Sequence, residues 1–96
     1  MKKELIEIDA DRKAFTDLDY VSANINFATV VAGEKTIARR AIIRTNDVEP
    51  TLRVFFYHDE NQPVVYQTTW YGHHAEKKDE LKKLEGGYVL LIPPSQ

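Results

Sequence analysis

The stretch ANINFATVVAGEKTIARRAIIRT, Ala23 to Thr45, decides the fold of this chain. Ala23 to Ala32 is rich in β-branched and aromatic side chains, which suit a pleated and half-buried surface. Gly33-Glu34 supplies a two-residue turn, because glycine takes the positive φ that tight hairpins demand. Thr36 to Thr45 returns as a second strand, so the centre of the sequence predicts an antiparallel hairpin.

Towards the C-terminus, Asn46, Asp47 and Pro50 mark a loop. Thr51 to His58 follows as a third strand, Asp59 to Pro63 as a tight connection and Val64 to Tyr71 as a fourth strand, together a meander. Gly72 stops that strand. Ala75 to Glu85 then predicts a helix, with Glu76 and Asp79 early and Lys82 and Lys83 late, as the helix dipole prefers. Its only firm apolar positions are Leu81 and Leu84, so it would depend on docking across the sheet. Gly86-Gly87 caps it, and the apolar run Tyr88 to Ile92, ended by Pro93-Pro94, predicts a last strand buried on both faces or closing a barrel. On the N-terminal side, Leu5 to Ile8 reads as a short edge strand and Asp9 to Asp19 as loop or a single helical turn around Arg12 to Phe15. The expected fold is therefore α+β: a four- or five-stranded, mostly antiparallel meander sheet, able to curl toward a barrel, with one short C-terminal helix followed by a final strand, in a single domain over residues 1–96.

The 96 residues are 43% hydrophobic and 29% charged, which is enough to build one core and no more. The chain has no cysteine, which removes disulfides, thiolate metal sites and cysteine nucleophiles together. A net charge of −2 gives no bulk field to draw the chain onto phosphate backbones. The start MKKELIEID has the basic residues of a signal peptide without its apolar stretch, and no apolar run approaches the ~18 residues of a membrane helix, so a cytoplasmic protein is expected.

Alternation along the four central strands sorts their side chains into two faces. The core face collects Ile25, Phe27, Val31, Ile42, Leu52, Val54, Phe56, Val64, Tyr66 and Trp70; Arg40 and Arg44 fall on it as well, a conflict that either a β-bulge or their position at the sheet's ends would resolve. The opposite face collects Asn24, Asn26, Arg39, Arg53, Phe55, Tyr57, Gln67, Thr69 and Tyr71. Aromatic rings and guanidinium groups are the usual anchors of binding surfaces, so Arg39, Arg53, Phe55, Tyr57 and Tyr71 are the candidate partner-binding residues. The same chemistry suits a platform for single-stranded nucleic acid, although no motif of such a domain is present.

Other constellations carry less. His58, Asp59, Glu60, His73 and His74 are zinc ligand types, but a meander separates His58 from His73 by a strand of roughly 25 Å. Asp9, Asp11, Asp17 and Asp19 lack the glycine and glutamate of a calcium loop, at whose positions Ala14 and Tyr20 stand. Arg40 and Arg44 are similar to the basic pair of cyclic-dinucleotide-binding PilZ domains, but the Asp/Asn-x-Ser-x-x-Gly element is missing. No phosphate loop, catalytic triad order or dinucleotide fingerprint occurs. The expectation is a small non-catalytic adaptor or regulatory module without cofactor or metal, acting by self-association or by binding a protein partner. Single-strand nucleic-acid binding is the alternative, and an enzyme with an unrecognised site comes third.

Overall fold

The computed structural model describes residues 1–47 and 51–95. In chain order its elements are β1 (Lys2–Ala10), α1 (Arg12–Asp17), β2 (Tyr20–Val31), β3 (Glu34–Arg44), β4 (Thr51–His58), β5 (Val64–Gly72), β6 (Glu76–Lys78), β7 (Lys82–Lys83) and β8 (Tyr88–Leu91). The chain is mostly antiparallel sheet with one short helix, as expected, but the strands divide between two sheets. One has the order β4-β1-β8; the other has the order β3-β2-β5-β6, with β7 also on β5.

The central hairpin forms, and its turn is Ala32-Gly33 rather than Gly33-Glu34. Both residues have positive φ, 52° and 82°, which is the backbone of a type I′ turn between Val31 and Glu34. A bulge between Phe27 and Ala28 then shifts the pairing, so that Ile25 faces Ala41 and Ala23 faces Ile43. Relative to the sequence-based register, β3 has slipped by one residue, which exchanges its faces. Ala41 and Ile43 enter the core, Ile42 turns outward with Arg40 and Arg44, and the conflict of buried arginines disappears. Val31, also expected in the core, is exposed at the hairpin end.

The meander does not form. The chain crosses between sheets after β3 and again after β4: β4 pairs antiparallel with β1, from Lys2 opposite His58 to Asp9 opposite Thr51, while β5 pairs with β2. Meander and sandwich use the same alternating strands, and nothing local to β4 or β5 states which neighbour each takes. The expected edge strand at Leu5 to Ile8 is thus the central strand of the three-stranded sheet. The loop residue Pro50 lies outside the described residues.

The helix expected over Ala75 to Glu85 is absent. That segment runs extended along the free edge of β5, pairing Glu76, Lys77 and Lys78 with Tyr71, Trp70 and Thr69. Asp79 N donates to Thr68 O at 2.8 Å and Leu84 N to Val64 O at 2.9 Å. Gln67 Nε2 donates to Asp79 O across the gap between β6 and β7. A segment with two apolar anchors gains little from a helical stripe, whereas here it satisfies the backbone edge of a nine-residue strand. The helix lies instead at Arg12–Asp17, N-capped by Asp11, whose Oδ1 accepts from Ala14 N at 3.1 Å.

The final strand is an edge, not a doubly buried closure. β8 lies parallel to β1, with Val89 and Leu91 buried and Tyr88 and Leu90 exposed. Gly87 brings the chain so close that an added Cβ would stand 2.8 Å from Leu5 O. The core fills the space between the sheets: Ile6, Ile8, Val54, Phe56, Val89 and Leu91 from one side meet Ala23, Ile25, Phe27, Ala41, Ile43 and Trp70 from the other. Trp70 is fully buried as expected, with Phe15 of α1 edge-on at 5.1 Å and Tyr20 at 5.6 Å. No helix among the described residues is long and apolar enough to cross a membrane.

Candidate functional site

Residues at odd positions of β1 point away from the core, since Ile6 and Ile8 point into it. Lys3, Leu5, Glu7 and Asp9 therefore form one row on the outer surface of the three-stranded sheet. The register sets Tyr57, Phe55, Arg53 and Thr51 of β4 beside them, in that order, and places Tyr88 and Leu90 of β8 beside Glu7 and Asp9. Five large side chains on this face, Leu5, Phe55, Tyr57, Tyr88 and Leu90, are between 50% and 65% exposed. Three half-exposed aromatics, each offering ~200 Å² in full, leave ~300 Å² uncovered before the leucines are counted. Exposed apolar area of a few hundred Å² is as much as the largest patch on a typical monomer, and such patches are often functional.

The polar groups of this face are already matched to one another. Arg53 holds Glu7 Oε1 with Nη2 at 3.1 Å and Nε at 3.2 Å. Asp9 accepts from the Thr51 hydroxyl on one oxygen and from the Tyr88 hydroxyl, at 2.8 Å, on the other. These bonds, the Thr51 one foremost, hold the Asp9 carboxyl below its ordinary range, and the bond to Asp9 pushes the Tyr88 hydroxyl up. Lys3 Nζ lies 4.8 Å from the centre of the Phe55 ring, a cation–π distance, and Phe55 meets Tyr57 edge-on at 6.3 Å. A depression of about 230 Å³ lies between Leu5, Glu7, Arg53 and Gly87.

Of the five residues singled out from sequence, Arg53, Phe55 and Tyr57 come together here and Arg39 and Tyr71 do not. Arg39 stands on β3 in the other sheet, exposed and opposite Phe27. Tyr71 lies on the outer face of that sheet between Ser22 and Glu76, half-buried in a polar row. Sequence reasoning missed Lys3, Leu5, Glu7, Tyr88 and Leu90. The β1 residues were legible in the alternation around Ile6 and Ile8, but Tyr88 to Ile92 has no polar member to reveal which side faces water.

At the other end of β4, His58 is buried and bonded on both ring nitrogens, Nδ1 to Asp59 O and Nε2 to Glu4 Oε1, each at 2.9 Å. The His58 contact, helped by Lys2 and opposed by burial, holds the Glu4 carboxyl below its ordinary range. His73 stands apart from this pair, 3.8 Å from Asp19. The separation argued from a meander thus has the wrong premise, and the two histidines take different carboxylate partners. Asp9, Asp11 and Asp17 are likewise dispersed, to the sheet face, the helix cap and an ion pair with Lys13.

No family model, curated protein or solved structure matches this chain.

Proposed function

We propose that this chain is a non-catalytic binding module that engages protein through the outer face of the β4-β1-β8 sheet. The observation that carries this reading is the apolar patch of Leu5, Phe55, Tyr57, Tyr88 and Leu90, set among polar groups that already have partners. A protein that covers Arg53, Glu7 and Asp9 must desolvate them, but leaves none of the three without a hydrogen-bond partner. Nucleic-acid binding is the weaker alternative on this face. The guanidinium that would meet phosphate is held by Glu7, Asp9 adds a second carboxylate, and Arg39 belongs to the other sheet.

The test is the single variant Phe55→Ala, read by melting curve and by binding of an apolar dye. The expected result is dye binding by the wild type, less of it by the variant, and a thermal midpoint that hardly moves. A loss of ~3 kcal/mol or more of folding stability would mean that the face is covered within the monomer, and the reading would fall. Salt-sensitive oligonucleotide binding at physiological ionic strength would favour the alternative.

A further inference from the structure

The geometry points to a second copy of this chain as the occupant of that face, stacked on it about a two-fold axis that lies in the interface and runs perpendicular to β1. This inference rests on the binding-face reading and adds the partner and its orientation.

The argument begins with charge. Along β1 the outer row carries Lys3 at one end and Glu7 and Asp9 at the other, and Arg53 cancels Glu7, so the row is positive at residue 3 and negative at residue 9. The two charges are ~20 Å apart, too far to pair within one chain. Two identical sheets can stack with their β1 strands running the same way or opposite ways. The first sets lysine over lysine and carboxylate over carboxylate, whereas the second sets Lys3 of each copy over Asp9 of the other, twice by symmetry. The axis then crosses β1 level with residue 6. On that level lies the depression between Leu5, Glu7, Arg53 and Gly87, open to Leu5 of the other copy. The same operation brings Phe55 of each copy over Arg53 of the other, a pairing of ring and guanidinium that suits a cation–π contact.

Size sets the strength. Two strands of eight paired residues and one of four, at ~4.8 Å between strands and ~3.3 Å per residue, give a face of about 320 Å². That is less than half of the ~800 Å² that each partner contributes to a standard interface, which suits a reversible dimer rather than an obligate one.

Sedimentation of the full chain over a concentration series tests this. The wild type is expected to dimerise reversibly. Lys3→Glu and Asp9→Lys, each alone, place like charges at both contacts and weaken the dimer ~10-fold or more, while an equimolar mixture restores opposite charges at both contacts and dimerises within ~3-fold of wild type. A mixture no tighter than either variant alone overturns the orientation. Because Asp9→Lys also removes the acceptor of Thr51 and Tyr88, a second measurement stands beside it. The chain has no cysteine, so a spin label on Asn61→Cys, in the exposed turn level with the Lys3 end, is unique. Opposed strands set the two labels ~40 Å apart; a separation below ~20 Å means strands stacked the same way and overturns the proposal. A wild type that stays monomeric at all concentrations overturns the second copy as occupant. In that case an unchanged melting point for Phe55→Ala leaves the binding face standing, and a core-like loss removes both.

Discussion

The Tyr88 hydroxyl donates to Asp9 Oδ2 at 2.8 Å, tying the last strand to the first across 79 residues of sequence. The bond requires a protonated phenol and an ionised carboxyl, so it works only between their two titrations. Asp9 is held below its ordinary value of 3.8, so its contribution is present above that pH and is lost as pH falls through the lower folded value. Tyr88 is raised above 10.0, so its contribution is full below pH 10 and is lost as pH rises through the higher folded value. Tyr88→Phe is expected to remove part of the alkaline loss of stability. What remains above pH 10 includes Tyr20, which burial raises in the same direction, and Lys13, raised by its bond to Asp17. Urea midpoints measured from pH 7 to 11 check this; identical alkaline limbs for variant and wild type would rule it out.

Ala32 occupies the first central position of the β2-β3 turn at φ 52°, a region that a residue with a Cβ enters at a cost. Ala32→Gly or Ala32→Asn is expected to stabilise the chain by about 1 kcal/mol, since both residues tolerate that backbone. Equilibrium denaturation reads the effect. A destabilised Ala32→Gly would place the turn elsewhere, as at the Gly33-Glu34 position that the sequence suggested.

The two leucines of the extended segment separate its observed conformation from a docked helix. Leu84 packs on the core while Leu81 is 44% exposed. Leu84→Asp should cost about 2 kcal/mol and Leu81→Asp no more than ~0.5 kcal/mol. A helix anchored through both would suffer equally from either substitution, and its far-ultraviolet circular dichroism would show helical content beyond the single short α1.

What was legible in the sequence was what alternation and turn chemistry encode locally. Ile25, Phe27, Val54, Phe56, Val64 and Trp70 were assigned to the core correctly, because successive side chains of a strand point to opposite faces. Register was lost at the Phe27/Ala28 bulge, where one unpaired residue exchanged the faces of β3, and with it the placement of Arg39, Arg40 and Ile42. The division into two sheets was invisible for a different reason. β4 pairs with β1 and β8 with β1, partners more than forty and about eighty residues away, and such pairings leave no mark on local composition. The same blindness turned Ala75 to Glu85 into a helix, since the edge of β5 that claims it is not local information.

Glu4 is held below its ordinary value of 4.5 chiefly by its hydrogen bond with buried His58. A depressed carboxyl stabilises the fold above 4.5, and that stabilisation is lost as pH falls through the lower folded value. Glu4→Gln keeps an acceptor for the ring but cannot carry charge. It should lower stability near neutral pH by roughly 1–3 kcal/mol and flatten the slope below pH 4.5, leaving the part that belongs to Asp9. Thermal melts of variant and wild type between pH 3 and 7 provide the measurement, and parallel curves would detach Glu4 from the acid transition.

Phe55 and Tyr71 looked equivalent in the sequence, both aromatic and both outside the core, yet they lie on opposite outer surfaces of the sandwich. Phe55 sits in the apolar patch beside Leu5 and Lys3, while Tyr71 is flanked by Ser22 and Glu76 on the other sheet. Phe55→Ala should therefore weaken association and Tyr71→Ala should not. Phe55→Ala should move folding stability by no more than ~0.5 kcal/mol, because truncating an exposed side chain leaves no cavity. Tyr71, half-buried among its cross-strand neighbours, carries the larger folding cost of the two, so the variants exchange rank between the assays. Sedimentation and melting curves for this pair decide where binding occurs. Equal loss of association in both variants would mean that binding is not confined to the β4-β1-β8 face.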